Sequence, residues 1–456
     1  MLTDNALRYT LEHLLKVALP SPGAARLTHT RDGQRVRVTV NGQVCLTLAL
    51  LSDEETGLLL RGKAVVQRLP SADSRAEIPL FRPAASALSQ PALTHDGVLE
   101  IPYDLITPSF LLLSGAEERN GLPRDAHDRF RYEGSLAHRY GFIHLPLADE
   151  YAMLLRKWIL ENEPPDWAIT PRQHRFIPTH DIDLLHRFQS PWQAFRSIAG
   201  RDLLIEHNLR AAVRSVREYR RWRADSRQDP YVTAILELLR GSEERRLSPV
   251  FFFKAQHSGE PGCTYDIRDP DAQHCIRTIL KAGMRVGLHG SYGSYDNPEL
   301  LAREKARLEE IAEVPVSHSR QHYLRRSAHP QPSGQSTLQV WSSSGITDDY
   351  TTGYAEQPGF RCGTCHPYPL YDTERDRATG ITEHPLIVMD GSLIDYLHLT
   401  LSESNRLIDK LRQRCEAVEG DFILLWHNHL LSRSYQTAYN NIYIYQAGQT
   451  QPLNWQ

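Results

Sequence analysis

The sequence predicts an α/β protein: a distorted barrel of about seven parallel strands with alternating helices, preceded by a smaller α+β domain. Three observations carry this. Short apolar runs recur through the second half of the chain, separated by longer polar or helical stretches. Most of those runs end in His, Asp or Arg. The texture changes at ENEPPDW (161–167), where two successive prolines cannot continue a helix.

The N-terminal elements follow in order. Residues 1–18 place apolar side chains at roughly helical spacing. RVRVTVNGQVCLTL (35–48) alternates apolar and polar residues on both sides of Asn41-Gly42. That pair supplies the positive φ angles of a tight hairpin turn. Residues 65–100 are rich in Pro, Ser and Ala and read as irregular. An amphipathic helix is expected over Ala148–Leu160. The proline break then sets a domain boundary, giving an accessory domain over 1–165 and the barrel over 166–456.

In the second domain the runs are RFIPTHD (175–181), SPVFFFKA (248–255), MRVGLH (284–289), VPVSHSR (314–320), ITDDY (346–350), LIVMD (386–390) and FILLWH (422–427). Continuous apolar runs alternating with helices suit a parallel sheet covered on both faces. In such folds the loops after the strands converge at one end, and the chemistry is found there. A helical insertion is expected at 184–245. Its arginines (210, 214, 217, 220, 221 and 223) read first as a solvated helix face, and second as a phosphate-binding patch.

Composition excludes several classes. The 456-residue chain carries 52 Lys and Arg against 55 Asp and Glu, a formal net charge of −3. That balance calls for neither nucleic acid nor a membrane surface as partner. No apolar run reaches the ~18 residues of a membrane span. The first residues lack a basic stretch followed by an apolar core, so no secretory signal is expected. Six cysteines in a chain of this length fit reduced thiols in a cytoplasmic protein. Cys362 and Cys365 form a Cys-x-x-Cys, read as loop packing because further zinc ligands are not evident nearby.

The reactive residues cluster in a few segments. Thr179-His180-Asp181-Ile182-Asp183 puts two carboxylates two residues apart, hence on one side of an extended chain. A divalent cation would relieve their repulsion. A helix cap accounts for the same pair at least as well. His289 follows an apolar strand and precedes glycine, a favourable position for a ligand. His318 and His322 stand four apart beside Arg320, and His427 ends the last run.

With these motifs in this order, residues 170–435 resemble the polysaccharide deacetylase superfamily, carbohydrate esterase family four. The branch resembled has Thr-His-Asp-x-Asp as its first motif and an extra N-terminal domain, and occurs near bacterial surface-polysaccharide genes. DLITPSFLLLSGAEERN (104–120), GFRCGTCHPY (359–368) and EHPLIVMDGSL (383–393) also resemble that branch. The resemblance implies roles. Asp181 would be the general base and Asp183 a metal ligand. His289 would be a second ligand. Arg320 would orient the base, and Asp349 would pair with the arginine. Tyr323 would offer its backbone N–H to the oxyanion, and His427 would be the general acid. The family pattern has another histidine four residues after the first, where this chain has Gly293. His322 is the expected substitute ligand, with His318 in reserve.

The implied function is hydrolysis of an N-acetyl group on a sugar, a precursor of a bacterial surface glycan, by a divalent metal. Zinc is preferred on ligand type, although nickel or cobalt suits the same donors. Two alternatives stand beside it: an amidase acting on a small non-sugar amide, and a catalytically silent carbohydrate-binding protein.

Overall fold

The structure is a computed structural model of the chain. It describes residues 2–20, 26–42, 44–84, 86, 90–119, 124–162, 168–196, 198–199, 209–256, 264–327 and 334–431. Most of the proline break (163–167), part of the expected insertion (200–208), Asn120 and Cys263 lie outside the described residues.

Sixteen strands are described. They are β1 (Leu27–Asp32), β2 (Arg35–Val40), β3 (Val44–Ala49), β4 (Val66–Pro70), β5 (Glu77–Phe81), β6 (Ala92–Leu93), β7 (Leu99–Ile101), β8 (Arg175–Ile182), β9 (Val250–Phe253), β10 (Arg285–Gly290), β11 (His318–Gln321), β12 (Asp348–Asp349), β13 (Tyr368–Asp372), β14 (Arg377–Glu383), β15 (Val388–Met389) and β16 (Asp421–Leu425). β1–β3, β7 and β6 form a five-stranded sheet in the order β1-β2-β3-β7-β6, and β4 pairs with β5. The remaining nine build a curled, mostly parallel half-barrel sheet in the order β13-β14-β12-β11-β10-β9-β8-β16-β15. By compactness the chain divides into unit 1 (Met1–Arg175, Leu324–Ser342, Thr347–Ile423) and unit 2 (Phe176–Tyr323, Ser343–Ile346, Leu424–Gln456).

Unit 1 begins with a helix over Asp4–Ala18, capped by the Thr3 side chain, which accepts from Ala6 N. Leu7, Leu11, Leu14, Leu15 and Ala18 form its buried face. β2 and β3 pair antiparallel with Val40 opposite Val44, so the turn is tight. Asn41 (φ 53°) and Gly42 (φ 73°) take the left-handed conformation such a turn demands. Val36, Val38, Val40, Val44, Leu46 and Leu48 are buried on one face, alternating with residues open to solvent. The amphipathic segment near 150 forms a helix, Leu147–Asn162. Residues 65–100 depart from the irregular reading: four short strands run there. Ile78, Leu80 and Phe81 of β5 are buried, so tertiary contacts impose strand on a segment whose local composition argues for loop.

Unit 2 holds the parallel core. β8, β9, β10 and β11 pair side by side in parallel register. Val250, Phe251, Phe252 and Phe253 of β9 are all 1% exposed or less, as expected for a strand covered on both faces. Helices Pro191–Phe195, Leu209–Ala224 and Pro230–Glu244 occupy the described part of the insertion. All six arginines of the Leu209–Ala224 helix named above are exposed.

Every apolar run of the second domain contains a strand, but the sheet has nine strands where seven runs suggested seven. The extra pair is the antiparallel hairpin β13–β14. Its second strand is mostly exposed between Arg377 and Gly380, so it lacks an apolar run to mark it. In VPVSHSR the strand occupies the polar end, His318–Gln321, and leaves Val314-Pro315-Val316 outside. Proline has no N–H to give to the ladder.

Candidate metal centre

The parallel register of unit 2 is what assembles the site. Asp181 lies opposite Phe252, Phe252 opposite Gly287, and His289 opposite Arg320. Continued one step further, the same register places Asp183 and Lys254 in the row that contains His289 and Arg320. Side chains two apart on a strand share a face. Asp181, Asp183, Lys254, His289 and Arg320 therefore converge at the C-terminal ends of β8–β11. Gly287 is required for this packing. A Cβ there would stand 2.6 Å from Phe252 ring carbons and 3.0 Å from the His318 carbonyl oxygen. The Phe252 ring in turn lies under the Arg320 guanidinium, 4.8 Å from Cζ to centroid.

Asp183, His289 and His322 bring their ligand atoms within 4.8 Å of one another. His289 Nδ1 stands 2.9 Å from the Arg320 carbonyl oxygen, which can only accept. The imidazole must therefore donate through Nδ1, and Nε2 of the neutral ring keeps its lone pair. That Nε2 is buried, makes no hydrogen bond, and faces Asp183 Oδ1 at 3.3 Å and Asp181 Oδ2 at 3.7 Å. Acceptors crowded together in this way repel unless a cation lies among them. His322 Nε2 completes the set at 3.5 Å from Asp183 Oδ1. One carboxylate and two imidazoles suit a zinc-type cation with open positions, and the backbone partner of His289 is the kind that orients a ligating histidine.

The electrostatics agree. Burial alone would raise the Asp183 carboxyl. The His289 contact, the Lys254 ammonium and His322 outweigh it and hold that carboxyl well below the usual range. His322 is pushed down to about 2, first by burial and then, against the pull of Asp183, by His289, Lys254 and His427. It stays neutral, with a lone pair to offer.

Around the triad, Arg320 Nη1 donates to Asp181 Oδ1 at 3.1 Å and to Thr179 Oγ1 at 2.8 Å. Arg320 is fully buried and Asp181 2% exposed. His427 Nε2, after β16, stands 3.6 Å from Asp183 Oδ2. His180 turns elsewhere: its Nδ1 donates to the Trp426 carbonyl oxygen at 2.9 Å. Tyr323 has φ 62°, a left-handed turn that few bulky residues adopt. Its ring packs edge-on to His322 at 4.4 Å and to Tyr292 at 5.5 Å. Gly293 is exposed, and a Cβ there would meet only Leu300 Cδ2, at 3.8 Å, so packing does not demand a glycine.

Two expected residues fall outside this group. His318 opens β11, with Nδ1 3.2 Å from Ser317 Oγ, and is not part of the triad. Asp349 belongs to unit 1, where it accepts from Thr351 N and Oγ1, each at 2.8 Å. Burial, then the neighbouring Glu383 carboxylate, push its pKa well up.

Sequence reasoning missed Lys254. Its ammonium lies 2.9 Å from Asp183 Oδ1 and 3.2 Å from His322 Nε2, with the side chain 3% exposed. Tyr265 braces the spot: its hydroxyl donates to Ile182 O at 2.8 Å and accepts from Lys254 N at 2.9 Å. The signal was present as the lysine ending VFFFK, the same position at which other runs end in His or Asp.

Cys362 and Cys365 are buried free thiols in unit 1. Cys365 donates from its backbone and thiol to Asp149 Oδ2, at 2.8 and 3.4 Å. A cavity of about 780 Å³ in unit 1, lined in part by Arg8, His13, Lys16 and Arg172, contains none of the candidate residues.

Known proteins resemble the chain as follows. Residues 3–164 match a family described as "Family of unknown function (DUF7033)". No curated protein matches the sequence. Among solved structures, a protein assigned as a polysaccharide deacetylase from Mycobacterium smegmatis is 18% identical, with TM-score 0.40, covering 63% of this chain and 88% of its own. A carbohydrate esterase family four pseudoenzyme from Bacillus anthracis is 10% identical, with TM-score 0.29, covering 61% and 62%. An allantoinase is 12% identical, with TM-score 0.37, covering 64% and 90%. Likenesses at this level carry no weight for the chemistry, which rests on the side chains.

Proposed function

We propose that the protein is a metal-dependent amide hydrolase that removes an N-acetyl group from a sugar, a precursor of a bacterial surface polysaccharide. The observation that carries the reading is the triad Asp183–His289–His322, with His289 Nε2 aimed at two carboxylates. The resemblance of the motifs supplies the substrate class.

When bound, a zinc-type cation would polarise the acetyl carbonyl and lower the pKa of water. Asp183, His289 and His322 would hold it. Asp181, kept in place by Arg320 Nη1, takes the proton of the attacking water. The backbone N–H of Tyr323 donates to the oxyanion as the carbonyl carbon becomes tetrahedral. His427 gives a proton from Nε2 to the departing sugar nitrogen. Acid–base help of this kind is worth about two to four orders of magnitude in rate. No helix among the described residues is long and apolar enough to cross a membrane.

The test is acetate release from N-acetylated nucleotide sugars and glycolipids by zinc-loaded protein. Release that disappears in Asp181→Asn, with metal retained, supports the reading; no release from any member of either class would sink it. A second reading, a silent carbohydrate-binding protein, is favoured by Gly293 in the place of a histidine. In that case the protein binds N-acetylated sugars and releases nothing.

A further inference from the structure

We infer that Lys254 is a built-in rival of the metal: its ammonium engages Asp183 Oδ1 and His322 Nε2, and it must leave before His322 can act as a ligand through that nitrogen. The inference rests on the metal-site reading above and adds to it a residue outside the motifs.

The argument is one of lone pairs. An ammonium group has protons to donate and no acceptor. At 3.2 Å from His322 Nε2 it can only donate to that nitrogen. An imidazole nitrogen has a single lone pair, and a metal bound to His322 through Nε2 needs the same one. Lys254 also stands 2.9 Å from Asp183 Oδ1, the oxygen that both histidines of the triad face. One side chain therefore engages two of the three ligand residues.

The arrangement is built rather than incidental. Lys254 follows β9 immediately, so the register directs it to the same face as Asp183 and His289. The Tyr265 hydroxyl bridges Ile182 O and Lys254 N, tying the end of β8 to the end of β9. With its side chain 3% exposed, the lysine is held among these partners rather than in solvent. Its positive charge offsets Asp183, and it opposes a second cation by occupying its donors and by like charge. Metal binding then includes the displacement of a buried ion pair, and the affinity is lower than the three ligands alone would produce.

The experiment is titration of zinc into chelator-stripped full-length protein, by calorimetry against a competing chelator. Wild type is compared with Lys254→Met, Lys254→Gln and Lys254→Arg, and a thermal melt of each confirms folding. Removing the charge should tighten zinc binding at least tenfold in both Met and Gln variants, while Arg stays near wild type. The metal-free Met and Gln variants should melt lower than wild type and gain more on zinc addition. Equal or weaker binding in the folded Met or Gln variant overturns the rivalry while leaving the metal site standing. If no form binds zinc, the rivalry and the metal-site reading fall together. Binding by the variants but not by wild type would be the strongest support.

Discussion

His289 donates its Nδ1–H to the carbonyl oxygen of Arg320, its register partner on the next strand. A main-chain contact between β10 and β11 thereby selects the tautomer whose free nitrogen points at Asp183. The same two residues serve two halves of the site: His289 faces the triad, while the Arg320 guanidinium holds Asp181.

Replacing His289 tests the triad directly. His289→Ala should lose retained zinc; it also removes the Nδ1–H bond to the Arg320 carbonyl, so some loss of stability is expected beside it. Metal content of the dialysed protein, beside a thermal melt, checks this. A variant that keeps a full equivalent of zinc would remove His289 from the ligand set.

Asp181→Asn separates the proposed base from the ligands. Its Oδ1 accepts from Arg320, and an amide oxygen can do the same, so the geometry should persist. Zinc content should stay near wild type and kcat should fall by about 10²–10⁴. Steady-state acetate release measures it, and a metal-loaded variant of wild-type rate would transfer the role of base elsewhere.

Gly287→Ala should destabilise the protein. The new Cβ would sit 2.6 Å from the Phe252 ring and 3.0 Å from the His318 carbonyl oxygen. Neither neighbour can withdraw easily, since Phe252 is fully buried and the carbonyl is backbone. Overpacking of this kind costs about 1–3 kcal/mol. Urea unfolding would read the change, and a midpoint equal to wild type would show that the sheet yields at this point.

Glu117 gives a pH signature in unit 1. Burial, chiefly, pushes its carboxyl up to about 8, although it accepts from Leu136 N at 2.7 Å. Its folded-state pKa is thus above the 4.5 of an ordinary glutamate. The folded state then binds the extra proton between those values. Its contribution to stability is full below the unfolded pKa and is lost as pH rises through the folded one. Glu117→Gln should therefore gain relative to wild type as pH rises from 5 to 8. Melting temperatures of the two proteins at each pH would show it, and parallel curves would contradict it.

Much of this organisation could be read from local pattern. Asn41-Gly42 between alternating runs marks the hairpin because only a few residue types tolerate positive φ at both turn positions. VFFF and FILL mark buried strands because both their faces must be covered. Asp181, Asp183, His289 and His427 stand out because polar residues ending apolar runs fall at one end of a parallel sheet. The β13–β14 hairpin was illegible, since its second strand is largely exposed and needs no apolar run. The strands between 65 and 100 were hidden by prolines and serines that argue locally for loop.

By itself, the sequence determined which stretches become strands and which chemical groups stand at their ends, since both follow from apolar periodicity and from residues adjacent in the chain. The register between strands depends on the whole sheet closing its hydrogen bonds at once. Only that register decided that Lys254 lies against Asp183, that His322 rather than His318 joins His289, and that the Arg320 carbonyl sets the His289 tautomer. Each is a contact between residues at least 31 positions apart, and no local pattern encodes the distance between them.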